Sequence, residues 1–237
     1  MVRKRSLGSP DKRKSQETPC RSGSALPGVS LCEAAPGAVA SPQGAHRPGE
    51  PPGAGDVTEL AYRPWIVIKG PHAFVTETAA HLASIAGLRL GRELLASLER
   101  SGRRVTILPT ARMSEAPPED FRGALARGRA LRWVDEWGRE RAVRGRGAGS
   151  DTTIKYNPAL TTFGVEPWQR QPPETGLAHE LIHADDAAHG RMDPEQTDGV
   201  RNYELQAIGL GPYRDKKFTE NKFRDAWPDA QPLRPRY

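Results

Sequence analysis

The sequence is poor in cysteine and has no long apolar segment. Its only cysteines, Cys20 and Cys32, lie within the first 56 residues, so residues 57–237 cannot form a disulfide or a cysteine-ligated metal site. A reducing compartment is compatible with this usage. No apolar run approaches the roughly 20 residues that a membrane span needs, and the first residues lack the apolar core of a secretory signal peptide. We therefore expect no membrane span.

Aromatic residues are absent from the amino-terminal quarter of the chain. The first of the 15 Phe, Trp and Tyr residues is Tyr62, and residues 1–56 contain 8 Gly, 8 Pro and 7 Ser. A segment of this composition buries too little apolar surface to offset the entropy lost on ordering. The composition predicts a disordered tail over residues 1–56 and a single folded domain over residues 57–237.

Positive charge exceeds negative charge, with a net charge of +6 over the chain. An arginine-rich stretch over residues 122–146 is compatible with nucleic-acid binding. Three acidic residues, Asp135, Glu136 and Glu140, interrupt this stretch and weaken a phosphate-binding interpretation. A solvated surface is therefore favoured over a nucleic-acid partner. A basic nucleic-acid-binding protein remains one alternative function, and an inactive effector that acts by binding alone is another.

The pattern of apolar residues predicts an α+β domain with a small mixed sheet. Strands are expected over residues 64–69, 104–108 and 151–156, with helices between 72 and 101, near 124–137, over 173–188, within 198–208 and from 219 to before 228. The helix over 173–188 has proline at its first position and a glycine just beyond its end, which are typical start and stop signals.

The motif His179-Glu-Leu-Ile-His183 lies on that helix. Histidines four residues apart project from one helix face and can bind the same metal ion. Glu180 lies beside them, where a general base can take a proton from water. The spacing predicts a catalytic zinc site. A surface helix with solvated histidines and a non-catalytic zinc site are the alternatives.

A catalytic zinc needs a third protein ligand. Glu204, 21 residues after His183, is favoured because a second helix packed beside the first can present its carboxylate. His189 has a suitable spacing, but the glycine that would turn the helix back comes only at Gly190. Three carboxylates between these positions are further alternatives: Asp193, Glu195 and Asp198.

Two further groups of residues suit peptide hydrolysis. Arg234 and Tyr237 would supply donors for the oxyanion if the carboxyl terminus docks against the site, although terminal residues are usually frayed. The strand over residues 152–156 is expected to hold an extended substrate by backbone pairing, with Thr152, Ile154 and Tyr156 as its binding residues.

These motifs resemble those of the NleD-like effector metallopeptidases. The resemblance covers about residues 65–237 and is carried by five segments, 154–158, 176–184, 203–209, 219–224 and 232–237. It implies a zincin-like domain of the gluzincin kind, with zinc bound by His179, His183 and Glu204. The Arg-x-x-Tyr spacing of Arg234 and Tyr237 also occurs in the similar clostridial neurotoxin proteases, where it stabilises the oxyanion.

The resemblance also implies a biological setting. Bacteria inject such effectors into host cells by type III secretion, so residues 1–56 would address the secretion machinery and the protein would act in the host cytoplasm or nucleus. The implied partner is a host signalling protein, with a mitogen-activated protein kinase as one candidate. No motif in the sequence identifies that substrate.

Overall fold

The computed structural model describes residues 57–237, and its architecture is α+β, as the sequence predicts. The tail predicted for residues 1–56 lies outside the described residues. The strands are β1 Val57–Arg63, β2 Ile66–Pro71, β3 Val105–Pro109, β4 Arg127–Val134, β5 Glu140–Gly145, β6 Thr152–Tyr156, β7 Gln196–Thr197 and β8 Val200–Arg201. The helices are α1 His72–Gly87, α2 Arg89–Ser101, α3 Phe121–Ala124, α4 Pro173–Ala188, α5 Asn202–Ile208 and α6 Glu220–Ala226.

The main sheet is mixed and has the strand order β1-β2-β3-β6. Strand β1 is antiparallel to β2, whereas β2, β3 and β6 run parallel. Ile68, Ile107 and Ile154 are aligned across the three parallel strands and are fully buried. These side chains join helices α1, α2 and α4 in one apolar core. The sequence interpretation omits β1 because most of its residues are exposed and show no apolar alternation.

Helices α1 and α2 meet at a sharp bend at Leu88. Gly91 allows this bend, because a Cβ atom at that position would lie only 1.8 Å from the carbonyl oxygen of Ile85. Gly87 and Gly91 therefore flank the boundary between the two helices. A side chain at position 91 would force α1 and α2 apart.

The prediction of a helix near residues 124–137 is wrong. Strands β4 and β5 form an antiparallel hairpin there, and the short helix α3 precedes it. The hairpin turn forms because the Asp135 carboxylate accepts hydrogen bonds from the backbone N–H groups of Trp137 and Arg139, and Gly138 takes a φ of 74°. Asp residues that bond to the backbone two residues ahead favour turns over helices.

The carboxyl-terminal elements position the remaining site residues. Helix α5 starts four residues later than the earliest expected position, because residues 196–201 form the small hairpin β7–β8. Helix α6 starts as predicted, with the Thr219 hydroxyl accepting a hydrogen bond from the N–H of Lys222. Among the described helices, none combines the length and apolar character that crossing a membrane requires.

Candidate active site

Helix α4 carries the two histidines and is buried along most of its length. It starts at Pro173 after Pro172 and ends at Ala188, and Gly190 then takes a φ of 63° that only glycine adopts readily. The predicted bounds of this helix are confirmed. His179 and His183 are each less than a tenth exposed, so the alternative of a surface helix with solvated histidines is excluded.

Three side chains converge at this helix. The Nε2 atoms of His179 and His183 lie 3.0 Å apart, and Glu204 Oε2 lies 3.6 Å from the first and 3.4 Å from the second. Among residues 57–237, this is the group of His, Cys, Asp or Glu side chains close enough to share a metal ion. Ligands about 2.0–2.1 Å from a tetrahedral zinc lie roughly 3.3 Å apart. The three measured separations bracket that value.

Glu220 fixes the tautomer of His179. Its Oε2 atom lies 2.9 Å from His179 Nδ1, so Nδ1 carries the proton and donates to the carboxylate. In the neutral form of the ring, which is the form that binds a metal, the Nε2 lone pair of His179 then faces Glu204. A carboxylate behind a ligating histidine is a common feature of metal sites, because it orients the ring and raises its basicity.

A buried arginine completes the arrangement behind His179. Arg224 and Glu220 are both fully buried, and Arg224 Nε donates to Glu220 Oε1 at 2.7 Å. Arg224 Nη1 also donates to the carbonyl oxygens of Arg170 and Pro232. The ion pair on α6 therefore connects the histidine to both the loop before α4 and the carboxyl-terminal segment.

The electrostatics of the site favour a cation between the histidines and Glu204. Burial lowers the pKa of His179, but hydrogen bonds to Glu204 and Glu220 outweigh it and raise that pKa to about 10. Burial raises the pKa of Glu204, yet both histidines hold it well below the usual range. The two carboxylates thus stabilise a positive charge at this position. The donor set and the charge balance both fit a bound metal ion.

Glu180 lies next to this cluster without belonging to it. It is buried, and its burial raises the pKa of its carboxyl group, although the two histidines lower it. Its side chain lines the same cleft as His179 and His183. A carboxylate with a raised pKa beside a metal site is suited to accept a proton from water and to release it again.

The carboxyl-terminal segment docks against the site instead of fraying. The side chain of Asn221 donates to the carbonyl oxygen of Arg234 at 2.9 Å and accepts from its N–H at 2.7 Å. Arg234 Nη1 donates to Glu220 Oε2 at 3.1 Å, and its guanidinium lies 5.2 Å from the Tyr237 ring centre. Both Arg234 and Tyr237 line the cleft. Docking of the terminus, the condition set for their predicted role, is met.

The cleft has a volume of about 630 Å³. One wall is the segment Met113–Pro118, and the loop containing Phe163 and Trp168 forms another. Arg234 lies 4.6 Å from the centre of the Phe163 ring. His179 and Glu180 also line the cleft, whose largely apolar lining suits a peptide chain.

The predicted substrate strand requires a correction. Strand β6 is at the edge of the main sheet, but its outer edge is already paired within the molecule. Glu115 exchanges two backbone hydrogen bonds with Lys155, and the Thr153 N–H donates to the Pro117 carbonyl. Thr152, Ile154 and Tyr156 are also almost fully buried. A substrate therefore cannot pair with β6, because the segment 115–119 lies in its place.

Tyr156 has a structural role instead. Its hydroxyl donates to the carbonyl oxygen of Pro173 and lies 3.0 Å from His81 Nδ1. Burial raises the pKa of this phenol well above its ordinary value. Tyr156 thus connects the end of β6 to the first residue of α4 and helps to place the helix that carries the histidines.

The alternative third ligands lie elsewhere. His189 Nδ1 donates to the backbone carbonyl of Asp185 at 2.8 Å. Asp193 accepts a hydrogen bond from the Tyr213 hydroxyl at 2.6 Å, and Glu195 pairs with Arg144. Asp198 lies in the turn between β7 and β8. None of these groups joins the two histidines in the described part of the chain.

Glu220 is the site residue that the sequence interpretation did not assign. The segment 219–224 carries part of the family resemblance, but no role follows from it alone. The available signal is the spacing of Glu220 and Arg224, an i,i+4 pair on a helix that begins with a good N-cap. That spacing predicts an ion pair, but its position behind His179 depends on how α6 packs against α4.

The comparison with protein families agrees with this geometry. The model of the Peptidase M91 family, described as effector protein, matches residues 64–237. The chain belongs to this family, because the match covers most of its length. It is therefore an effector of a peptidase family, and the chain itself carries a candidate His-His-Glu metal site. The NleD-like relationship within this class stays a prediction.

Two further comparisons complete the picture. A comparison with curated proteins finds no match. Among solved structures, the catalytic domain of Clostridium botulinum neurotoxin serotype F is similar, with 16% sequence identity and a TM-score of 0.39. That match covers 69% of this chain and 52% of the neurotoxin domain, so the chain spans about half the length of that structure.

Proposed function

We propose that this effector is a zinc-dependent endopeptidase that cleaves a host protein. His179, His183 and Glu204 would hold the zinc ion, and the observation that carries the proposal is their convergence beside Glu180. Two histidines and a carboxylate leave one position open on a four-coordinate zinc, which is typical of catalytic and not of structural sites. When bound, zinc would polarise the scissile carbonyl and lower the pKa of water.

Glu180 would act as the general base and then as the general acid. Its buried carboxylate takes a proton from the attacking water. It later delivers that proton to the amine that leaves when the peptide bond breaks. The position of Glu180 supports this double role, because its buried carboxyl group lines the cleft beside the metal cluster.

Arg234 and Tyr237 would stabilise the oxyanion that forms at the scissile carbonyl. The Arg234 guanidinium is partly neutralised by Glu220, which also holds it at the cleft. The phenol of Tyr237 adds a neutral donor; burial raises its pKa, so the proton is retained. Preorganised donors of this kind stabilise the charge that develops in the transition state.

The substrate backbone would pair with the outer edge of the segment 114–118. Glu115 directs both of its backbone groups toward β6, so those of the neighbouring Ala116 point the opposite way. Pro117 and Pro118 have no N–H groups, and Ala116 therefore offers the principal donor along this wall of the cleft. This site replaces β6 as the proposed position of an extended substrate.

The family description as an effector supports action inside a host cell. We include in the proposal export by type III secretion through residues 1–56, and a host signalling protein as the substrate. A mitogen-activated protein kinase is one candidate. The host cytoplasm and nucleus are the compartments in which such substrates would be met.

The test uses the full chain with Glu180→Gln as the inactive partner. Metal analysis should find one zinc per chain in both proteins. Host lysate incubated with each protein is then analysed for new amino termini, with and without a chelator. New termini that need both Glu180 and metal are expected. Zinc-free protein would contradict the metal assignment, and bound zinc without any new termini would favour an effector that acts by binding alone.

A further inference from the structure

A second cavity lies next to the catalytic cleft but is separate from it. It has a volume of about 520 Å³ and lies between the β4–β5 hairpin, the end of α2 and residues 212–218. The strand-like segment 191–193 divides the two spaces. Met192 lines the catalytic cleft, whereas Arg191 and Asp193 line the second cavity. A chain bound in the cleft can therefore reach the second cavity over a short distance.

Positive charge is concentrated around this cavity. Residues 122–146, which include the hairpin, contain eight arginines and three acidic residues, a net charge of +5. The rest of residues 57–237 contains 19 basic and 21 acidic residues, a net charge of −2. The cavity lining itself, which includes carboxylates from outside the hairpin, contains seven basic and three acidic residues, a net charge of +4. Such a field favours an acidic partner.

Some of the basic residues around the cavity make no ion pair within residues 57–237. Four arginines of residues 122–146 are already paired with carboxylates. They are Arg132, Arg139, Arg141 and Arg144, and their partners are Asp135, Asp193, Glu195 and Asp215. Arg100 and Arg146 line the cavity and are exposed, and neither makes an ion pair within residues 57–237. These two guanidinium groups are available to carboxylates of another molecule.

The hairpin also exposes apolar side chains beside the cavity. Leu131 is 69% exposed, Trp133 49% and Val143 50%. Leu131 and Val143 are direct cross-strand partners, and Trp133 and Val143 line the cavity. In the described part of the chain, no third strand pairs with β4 or β5. An extended peptide can therefore lie on this face or against an open strand edge.

We propose that the hairpin and the second cavity form a docking site for an extended acidic segment of a partner protein. Apolar side chains of the segment would contact Leu131, Trp133 and Val143, and its carboxylates would contact Arg100 and Arg146. A peptide fits better than a nucleic acid, because Asp135, Glu140 and Asp215 lie among the arginines and would repel a continuous phosphate backbone. A peptide in which acidic and apolar residues alternate matches both the unpaired arginines and the exposed apolar side chains of this surface.

As a site that recruits substrate, this surface rests on the proposed endopeptidase function. Its binding property does not, because none of its residues belongs to the metal cluster. A protein substrate anchored there would be held near the cleft at a high effective concentration. The enzyme could then select one host protein through the docking site, although few charged residues line the cleft itself.

The test measures binding of a fluorescein-labelled 12-residue peptide that alternates glutamate with leucine and serine. The full-length Glu180→Gln protein serves as host, so that the probe is not cleaved. Trp133→Ser and Arg146→Glu are each expected to raise the Kd about fivefold to tenfold, as loss of an aromatic or charged anchor does. Matched exposed substitutions on β1, Val57→Ser and Arg63→Glu, should leave the Kd unchanged.

Two further probes distinguish an acidic peptide from other ligands. A peptide with lysine in place of glutamate and a single-stranded DNA of 12 nucleotides are measured in parallel, and both should bind more weakly. Equal binding of the lysine peptide, tighter binding of the DNA, or a Kd insensitive to both hairpin substitutions would overturn the proposal. Metal content is measured in the same samples. Zinc-free protein that still binds the acidic peptide through the hairpin would sustain the docking site while refuting the endopeptidase.

Discussion

Replacing Glu220 by glutamine tests whether this carboxylate positions His179. Both of its oxygens are engaged as acceptors: Oε1 receives Arg224 Nε at 2.7 Å, and Oε2 receives His179 Nδ1 at 2.9 Å and Arg234 Nη1 at 3.1 Å. A glutamine has only one oxygen, so its NH₂ group must face one of these donors. Neither arginine can give up its proton, but Arg224 is fully buried and cannot turn away, whereas Arg234 lies at the cleft and can shift its guanidinium, and imidazole can give up its Nδ1 proton. The amide nitrogen is therefore expected to face His179.

The consequence for the metal site follows from that orientation. His179 would lose the proton on Nδ1 and keep one on Nε2, which is the atom that faces Glu204. Zinc binding would then require the tautomer to revert against an unfavourable contact. Substitutions behind ligating histidines typically cost about 10- to 100-fold in metal affinity, which corresponds to about 1.4–2.7 kcal/mol. We expect Glu220→Gln to weaken zinc binding within this range.

The assay is a zinc titration against a chromophoric chelator, with Glu77→Gln on the exposed surface of α1 as the matched control. Imidazole ¹⁵N shifts of the metal-free protein report whether Nδ1 of His179 carries a proton, which a purely structural role of Glu220 would leave unchanged. Because Glu220→Gln also weakens a buried ion pair, the double variant with Arg224→Met removes the unpaired arginine. A zinc Kd within twofold of the wild type in folded Glu220→Gln would refute the reasoning.

Four further outcomes are expected. Glu204→Ala should weaken zinc binding far more than His189→Ala, and the reverse ranking in the same titration would overturn the ligand assignment. The hydrogen bond with Asp185 raises the pKa of His189 above 6.5. The stabilisation of the fold by this pair is therefore complete below pH 6.5 and is lost as pH rises through the folded-state pKa. Melting temperatures of wild type and His189→Asn, measured between pH 5 and 9, should converge at high pH, and a constant difference between them would contradict this. Ala116→Pro should raise KM while zinc content stays at one per chain, and unchanged kinetics would exclude backbone pairing there. Tyr237→Phe should lower kcat about 100-fold with little change in KM, and full retention of kcat would remove the phenol from the oxyanion site.

Signals within one element predicted helix α4 well. The bounds of α4 follow from Pro173 at its start and Gly190 beyond its end, and the spacing of His179 and His183 places both rings on one face. These features depend only on neighbouring residues. The convergence of Glu204 was a weaker inference, because it needed the assumption that a second helix packs beside α4.

Features that depend on distant segments were not predictable in the same way. The outer edge of β6 is occupied by Glu115 and Pro117, which are about 40 residues away in sequence and have no strand pattern of their own. The hairpin at residues 127–145 was mistaken for a helix because arginine and glycine obscure its alternation. The turn residues Asp135 and Gly138 were the better signal.

Buried ion pairs near the carboxyl-terminal end of α4 fix the position of the helix that carries the candidate metal site. Its carboxyl-terminal half carries Asp185 and Asp186, which are almost fully buried and face the unfavourable end of the helix dipole. Arg191 pairs with both carboxylates, and Lys216 pairs with Asp186. These pairs anchor α4 on the side of the second cavity, away from His179. The histidines therefore sit on a helix whose position is set by contacts independent of the metal. Such preorganisation would let the site bind a metal ion without first ordering the backbone.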